Sequence, residues 1–303
     1  MEGLLIALRE HRVARNLFLR EHMGNHAVNL QQLSDGRQPS SRVLAVTSGK
    51  GGVGKTNISA NLALCLAASD RRVLLLDADV SLGNLDLVLN VRNKYNISHL
   101  INGSKSVEDI IQTGPKGLRI ICGASGIDRL ADICEDEQHR LLRHLATLQD
   151  DTDVIVIDTA AGISGSVVGF CLAADHVLVV TTPEATAMTD AYGMIKVLVR
   201  KQYEGPISVV VNMARDAAEG RHTYQRLADV AKRFLHADLY YAGVLLKDER
   251  LCNAVRARKP VVLAYPRSQI SSAFSALATR IGGIECGNRN QGSFFRRVVR
   301  WFH

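Results

Sequence analysis

The sequence predicts a doubly wound α/β domain, a mostly parallel sheet with helices on both faces. Three observations carry this. From residue 42 onward, short β-branched runs alternate with longer helical patterns, the order that parallel strands and crossover helices require. Most of the strand runs are continuously apolar instead of alternating, as strands covered on both faces are. A glycine-rich loop follows the first strand and opens a helix, the place where such domains hold phosphate.

The predicted strands are residues 43–48, 73–77, 118–122, 154–158, 176–181, 207–212, 239–244 and 261–264. Helical patterns fill 57–68, 135–148, 188–200 and 222–235 between them. Residues 3–22 also read as helical, and the polar stretch 34–41 reads as a linker. Residues 282–292 read as flexible and lead to a short final segment. The expected organisation is therefore an N-terminal helical extension and linker (1–41), a catalytic domain (42–282), and a linker with an amphipathic helix (283–303).

Composition narrows the function. The chain has 303 residues, 47% hydrophobic and 22% charged, with only six prolines. That is enough apolar surface for a core and argues against a disordered or fibrous protein. No run reaches the roughly 18 apolar residues that a spanning helix needs. The apolar run at 4–8 is too short for a signal peptide, so a cytoplasmic location is expected. The six cysteines form no C-x-x-C pair and read as reduced thiols, with no zinc-ligand spacing. Net charge is +7, but residues 289–303 hold four arginines and no acid. Residues 1–42 contribute another +2, which leaves the middle of the chain near neutral. A nucleic-acid surface on the catalytic domain is thus not indicated, although Arg256, Arg258 and Lys259 could form a local patch.

The loop is Gly49-Lys50-Gly51-Gly52-Val53-Gly54-Lys55-Thr56, which matches G-x-x-x-x-G-K-[ST]. Its glycines let backbone N–H groups face phosphate oxygens, and the following helix, with Asn57 in its first turn, adds its positive end. Lys55 is placed to bridge the β- and γ-phosphates, and Thr56 to bind Mg²⁺. A later apolar run delivers Asp77 and Asp79 at a strand's carboxyl end, where open α/β sheets bind ligands. A carboxylate there holds a metal-bound water or orients the attacking water. A third run ends in Asp158 after four apolar residues, a metal-linked aspartate pattern, followed by Gly162.

The K-G-G-V-G-K-T stretch resembles the deviant phosphate loop of the MinD/ParA family of ATPases. The resemblance covers residues 43–281. It implies that Lys50 reaches the partner's ATP across a nucleotide-sandwich homodimer. It implies that Asp79 positions the hydrolytic water in switch I, with Asp77 near the Mg²⁺ shell. It places Asp158 and Gly162 in switch II, as metal-linked and γ-phosphate-sensing residues. The family usually has proline where this chain has Ala160, which leaves the loop less restricted in φ. Asn212 resembles the family's adenine-contacting asparagine, and Tyr265, Pro266 and Arg267 resemble a segment packed on the base. ATP/ADP and Mg²⁺ are the cofactors so implied.

Residues 79–86, 211–214 and 254–261 look closer to the flagellar, FlhG-type branch, which regulates flagellar number and placement and works with the GTPase FlhF. That branch often carries a D-Q-A-x-x-L-R element near its N-terminus, and residues 1–42 contain none. A division-site regulator of MinD type and a DNA-binding partition ATPase of ParA type are the alternatives.

At about 100° per residue, the tail residues Phe294, Phe295, Val298, Val299, Trp301 and Phe302 share one arc of a helical wheel. Arg296, Arg297 and Arg300 lie opposite. Aromatics against a basic stripe predict a helix lying in an anionic membrane interface, reversibly at the inner face of the cell membrane. The competing reading is a terminal helix docked on its own domain.

Overall fold

The computed structural model describes residues 41–79, 84–91, 94–123, 147–284 and 294–302. Its sheet runs β3-β4-β2-β5-β1-β6-β7-β8. The strands are β1 (Arg42–Ser48), β2 (Val73–Ala78), β3 (Gln112–Thr113), β4 (Arg119–Ile121), β5 (Val154–Ala161), β6 (His176–Thr181), β7 (Ile207–Ala214) and β8 (Tyr240–Leu246). All neighbours pair in parallel except β3 with β4.

The continuously apolar strands behave as their composition requires. In β1, Val43 and Ala45 enter the core on one face, and Leu44 and Val46 enter the core on the other. One face is covered by α1 (Lys55–Ala67), α2 (Leu85–Leu89), α8 (Glu249–Arg256), α9 (Val261–Ala264) and α10 (Gln269–Gly283). The opposite face is covered by α3 (Ile97–Ile101), α4 (Val107–Ile110), α5 (Gly165–Ala173), α6 (Ala185–Arg200), α7 (Ala217–Leu235) and α11 (Phe294–Phe302).

Two expectations need correction. Residues 261–264 are not a strand. Pro260 precedes a single helical turn in which Ala264 N–H donates to Pro260 O and Tyr265 N–H to Val261 O. A four-residue apolar run carries no period that separates the two states. The second concerns the tail, which is helical as expected but packed inward. Residues 40–303 form one compact unit, and within it Phe294, Phe295 and Val298 are buried in the core. Helix α11 lies against α5, with Phe294 stacked on Phe170 at 6.5 Å between ring centroids. Arg297 does not face away from the aromatics as the wheel has it. Its Nε donates to Ala173 O and its Nη2 to Asp175 Oδ1, each at 2.7 Å.

Strand β5 continues three residues past Asp158, with Ala161 paired to Ser48. The β1–β5 register shifts between Val46 and Ser48, so Ala160 lies at an irregularity of the ladder. The helical readings of 3–22 and 135–146, and residues 80–83 of the switch I stretch, lie outside the described residues.

Candidate functional site

The parallel register brings the carboxyl ends of β1, β2, β5, β6, β7 and β8 to one edge of the sheet. The phosphate loop leaves β1 there and opens α1 at Lys55. Its tight course has measurable steric demands. A Cβ on Gly49 would lie 2.0 Å from the Asp190 carbonyl oxygen of α6. Gly54 has φ +92°, and a Cβ there would lie 2.5 Å from the Asn212 amide nitrogen. No L side chain fits either place without displacing backbone or the asparagine.

Asp77 and Asp158 are register partners on adjacent strands, and both are buried. Ser59 Oγ donates to Asp158 Oδ1 at 2.9 Å, and Thr56 donates to the same carboxylate. Asp79 N–H donates to Asp77 Oδ1 at 3.0 Å. Burial first, and then the charge of Asp158, push the Asp77 carboxyl up to about 7. Burial likewise pushes Asp158 up to about 6 against its hydroxyl donors and Lys55. Lys55 is buried too, and desolvation lowers its pKa against the opposing charges of Asp158 and Asp79.

These shifts describe a site suited to a cation. Two buried carboxylates side by side resist ionising together, and a divalent metal relieves both. Thr56, Asp77 and Asp158 form an all-oxygen donor set, suited to a hard ion such as Mg²⁺. Among the described residues, no three His, Cys, Asp or Glu side chains converge as a metal cage. A metal here would complete its shell with phosphate oxygens and water, as Mg²⁺ commonly does.

Lys50 is handled differently from Lys55. Its Nζ donates to Glu184 Oε1 at 2.7 Å and to Thr186 Oγ1 at 2.8 Å. That holds it at the mouth of a cavity of about 740 Å³, shared by Gly51–Val53, Thr182, Met213, Lys247, Asp248 and Cys252. A second cavity of about 520 Å³ takes in Gly54–Asn57, Leu87, Met213, Arg256 and Arg258.

Asn212 packs against the phosphate loop. Its Nδ2 donates to Val53 O at 2.8 Å, while its buried Oδ1 accepts nothing. A buried acceptor without a donor costs about 1–3 kcal/mol. The exocyclic amino group of adenine is a donor of the kind it lacks. Pro266 borders neither of these two cavities. Pro266 instead lines a cavity with Leu64, Cys65 and Lys116 beside the far end of α1, and no phosphate-loop residue borders that cavity. At 1.5 Å per residue, the stretch from Lys55 to Leu64 spans roughly 13 Å of helix, which separates this cavity from the phosphate loop.

Lys247 and Asp248 instead line the cavity beside Lys50 and Gly51–Val53, and Asp248 also caps α8 by accepting from Arg250 N–H at 2.7 Å. Sequence reasoning passed over this pair. The usable signal was the apolar β8 run, whose carboxyl end had to arrive beside those of its parallel neighbours.

The profile of ParA, described as NUBPL iron-transfer P-loop NTPase, matches residues 40–282. The chain belongs to the ParA family of P-loop NTPases. Among relatives of this NTPase, the antiactivator FleN of Pseudomonas aeruginosa is 43% identical over 240 residues, covering 79% of this chain and 86% of that protein. The flagellum site-determining protein YlxH of Helicobacter pylori is 35% identical over 294 residues, covering 92% and 99%. Among solved structures, the MinC:MinD cell division protein complex of Aquifex aeolicus superposes with a TM-score of 0.64 at 27% identity, over 81% of this chain and 97% of that one. The ParA-family chain thus shares its fold with this MinD-containing structure.

Proposed function

We propose that this NTPase is a MinD-like switch that hydrolyses Mg²⁺-ATP and regulates flagellar number and placement. The position of Lys50 supports the switch part. A second loop lysine parked outside its own phosphate site, on Glu184, is available to the nucleotide of a second copy. The names of the FleN and YlxH relatives support the flagellar part.

In this reading Thr56, Asp77 and Asp158 hold Mg²⁺, which neutralises charge developing on the β- and γ-phosphates. Lys55 bridges those phosphates, and Asp79 orients the attacking water. Asn212 Oδ1 accepts from the adenine amino group, and Gly162 senses the γ-phosphate through switch II. Two copies then close on ATP through Lys50, and the tail binds anionic membrane while they remain closed. FlhF is the partner proposed for the flagellar role.

The experiment has two parts. In solution, ATP with Mg²⁺ converts monomer to dimer, and Lys50→Ala abolishes the conversion, both read by light scattering. In cells, deletion of the gene changes the number or position of flagella, counted by electron microscopy. Unchanged flagella with misplaced division septa would move the assignment to the division branch.

A further inference from the structure

We propose that the cavity between α1, α9 and α10 is a second ligand site, which takes a medium-chain fatty carboxylate. The chain lies on the aliphatic wall of the cavity and the head group on Arg71 and Lys116. This site is separate from the phosphate loop and does not depend on the flagellar reading.

The cavity encloses about 650 Å³, a size ordinary for small-molecule sites. Leu64, Leu66, Val262, Leu263 and Ala278 supply its apolar lining. Among the described residues no aromatic side chain borders it, so it offers a nucleobase no ring to stack on. An aliphatic body fits what is there. The hydroxyl protons around it are already committed. Ser69, Ser275 and Thr279 each donate to the carbonyl four residues before, at 3.1–3.2 Å. Ser271 Oγ donates to Tyr265 O at 2.8 Å. An anionic head group must therefore be held by the cations.

Those cations are uncommitted. No acidic side chain borders the cavity among the described residues, and neither Arg71 nor Lys116 makes an ion pair among them. Asp153, whose carboxyl Arg72 and more weakly Arg71 hold below the usual range, is bonded to Arg72 at 2.7 Å. The cavity also faces the C-terminal ends of α1 and α10, where bare carbonyls disfavour an anion. Both ends have donors of their own. Leu64 O and Leu66 O accept from Ala68 N–H and Ser69 N–H, and Arg42 donates to Gly282 O and Ile284 O. Arg71 lies over the end of α10, where a Cβ on Gly282 would be 3.4 Å from its Nη2. Lys116 is held at φ +59° in the turn Pro115–Gly117, a left-handed conformation that a side chain adopts at a cost.

The cavity carries its own reporter. Cys65 is half-buried in its lining, and burial raises the thiol against a bond to Ser275. Cys252 is exposed beside Lys50 in the other cavity and serves as the internal control.

Calorimetric titration of decanoate into the full chain measures affinity, and alkylation by N-ethylmaleimide, read by peptide mass spectrometry, locates the site. At ten times its Kd, decanoate should slow Cys65 alkylation about tenfold and leave Cys252 unchanged. Octanoate buries two fewer methylenes and should bind about tenfold more weakly. Decanol keeps the chain without the charge and should also lose about tenfold. Arg71→Ala should weaken decanoate binding by a similar factor. Lys116→Gly should do the same without lowering the thermal midpoint, because glycine suits this backbone. Lost binding in a protein that is no less stable separates a ligand contact from a folding defect.

Decanol binding as tightly as decanoate, or both variants binding like wild type, would overturn the proposal. Binding without protection of Cys65 overturns it too, because the carboxylate then sits elsewhere, such as on the tail. Protection of Cys65 by ATP alone would assign the cavity to the nucleotide site instead. If Cys65 fails to react in the ligand-free protein, the two charge variants decide the matter by calorimetry.

Discussion

Asp77→Asn in the nucleotide-free protein isolates the cost of assembling the metal site before the metal arrives. Burial and the neighbouring Asp158 push the Asp77 carboxyl up to about 7, whereas an unfolded aspartate titrates near about 3.9. Between those values the native state keeps a proton that the unfolded state has released. Stability therefore falls as pH rises through this window, and the loss is complete once pH exceeds the folded value. From pH 5 to pH 8, the shift corresponds to about 2–3 kcal/mol.

Asparagine has no such proton, so the variant should lack this part of the slope. Asp158, pushed up to about 6 by burial, lowers stability in the same direction. His176, held down at about 3 by burial and Arg42, raises stability with pH over the interval from its folded value to about 6.5. His176 remains in the variant and largely cancels in the comparison, while Asp158, relieved of its neighbouring carboxyl, ionises more easily and adds to the difference. The assay is urea unfolding at pH 5 and pH 8 for both proteins. Wild type should lose about 2–3 kcal/mol more than the variant across that interval. Saturating Mg²⁺-ATP should abolish the difference, since the cation favours the ionised carboxylate. Equal losses without nucleotide would refute the account of Asp77.

Three further outcomes are expected. Asn212→Ala removes the free base-side acceptor and should weaken ATP binding about tenfold, the equivalent of about 1.4 kcal/mol, read by competition with a fluorescent analogue. Gly49→Ala should cost more than about 2 kcal/mol of stability, seen as a lowered urea midpoint, because its Cβ meets the Asp190 carbonyl at 2.0 Å. Lys50→Ala breaks an exposed pair with Glu184 and a hydrogen bond to Thr186. It should move the thermal midpoint by little more than the effect of a surface salt bridge, at most about 1 kcal/mol, while eliminating ATP-dependent dimerisation in sedimentation velocity.

The parts legible in the sequence share one property: each is encoded within a short continuous stretch. The phosphate loop is eight consecutive residues whose glycines have no reading as strand or helix. The buried strands declare themselves by unbroken apolar runs, and Asp77 and Asp158 stand out as charges ending such runs. Where the local signal was short or ambiguous, reading failed. Val261–Ala264 carries no period and became a helix after Pro260. The tail's wheel was amphipathic, but an apolar strip is equally suited to lipid and to a helix of the same chain.

The sequence by itself determined the doubly wound class, the phosphate loop, the carboxylates beside it and the existence of a terminal helix. The tertiary structure decided that Lys247 and Asp248, and not Pro266, border the cavity beside the phosphate loop. It also decided that Lys50 rests on Glu184, and that the tail's aromatics and Arg297 close against α5 and Asp175. These are all contacts between residues far apart in the chain. Local periodicity and motif spacing reflect what one segment prefers, whereas the partner of a segment depends on strand order and helix placement, which only the folded chain supplies.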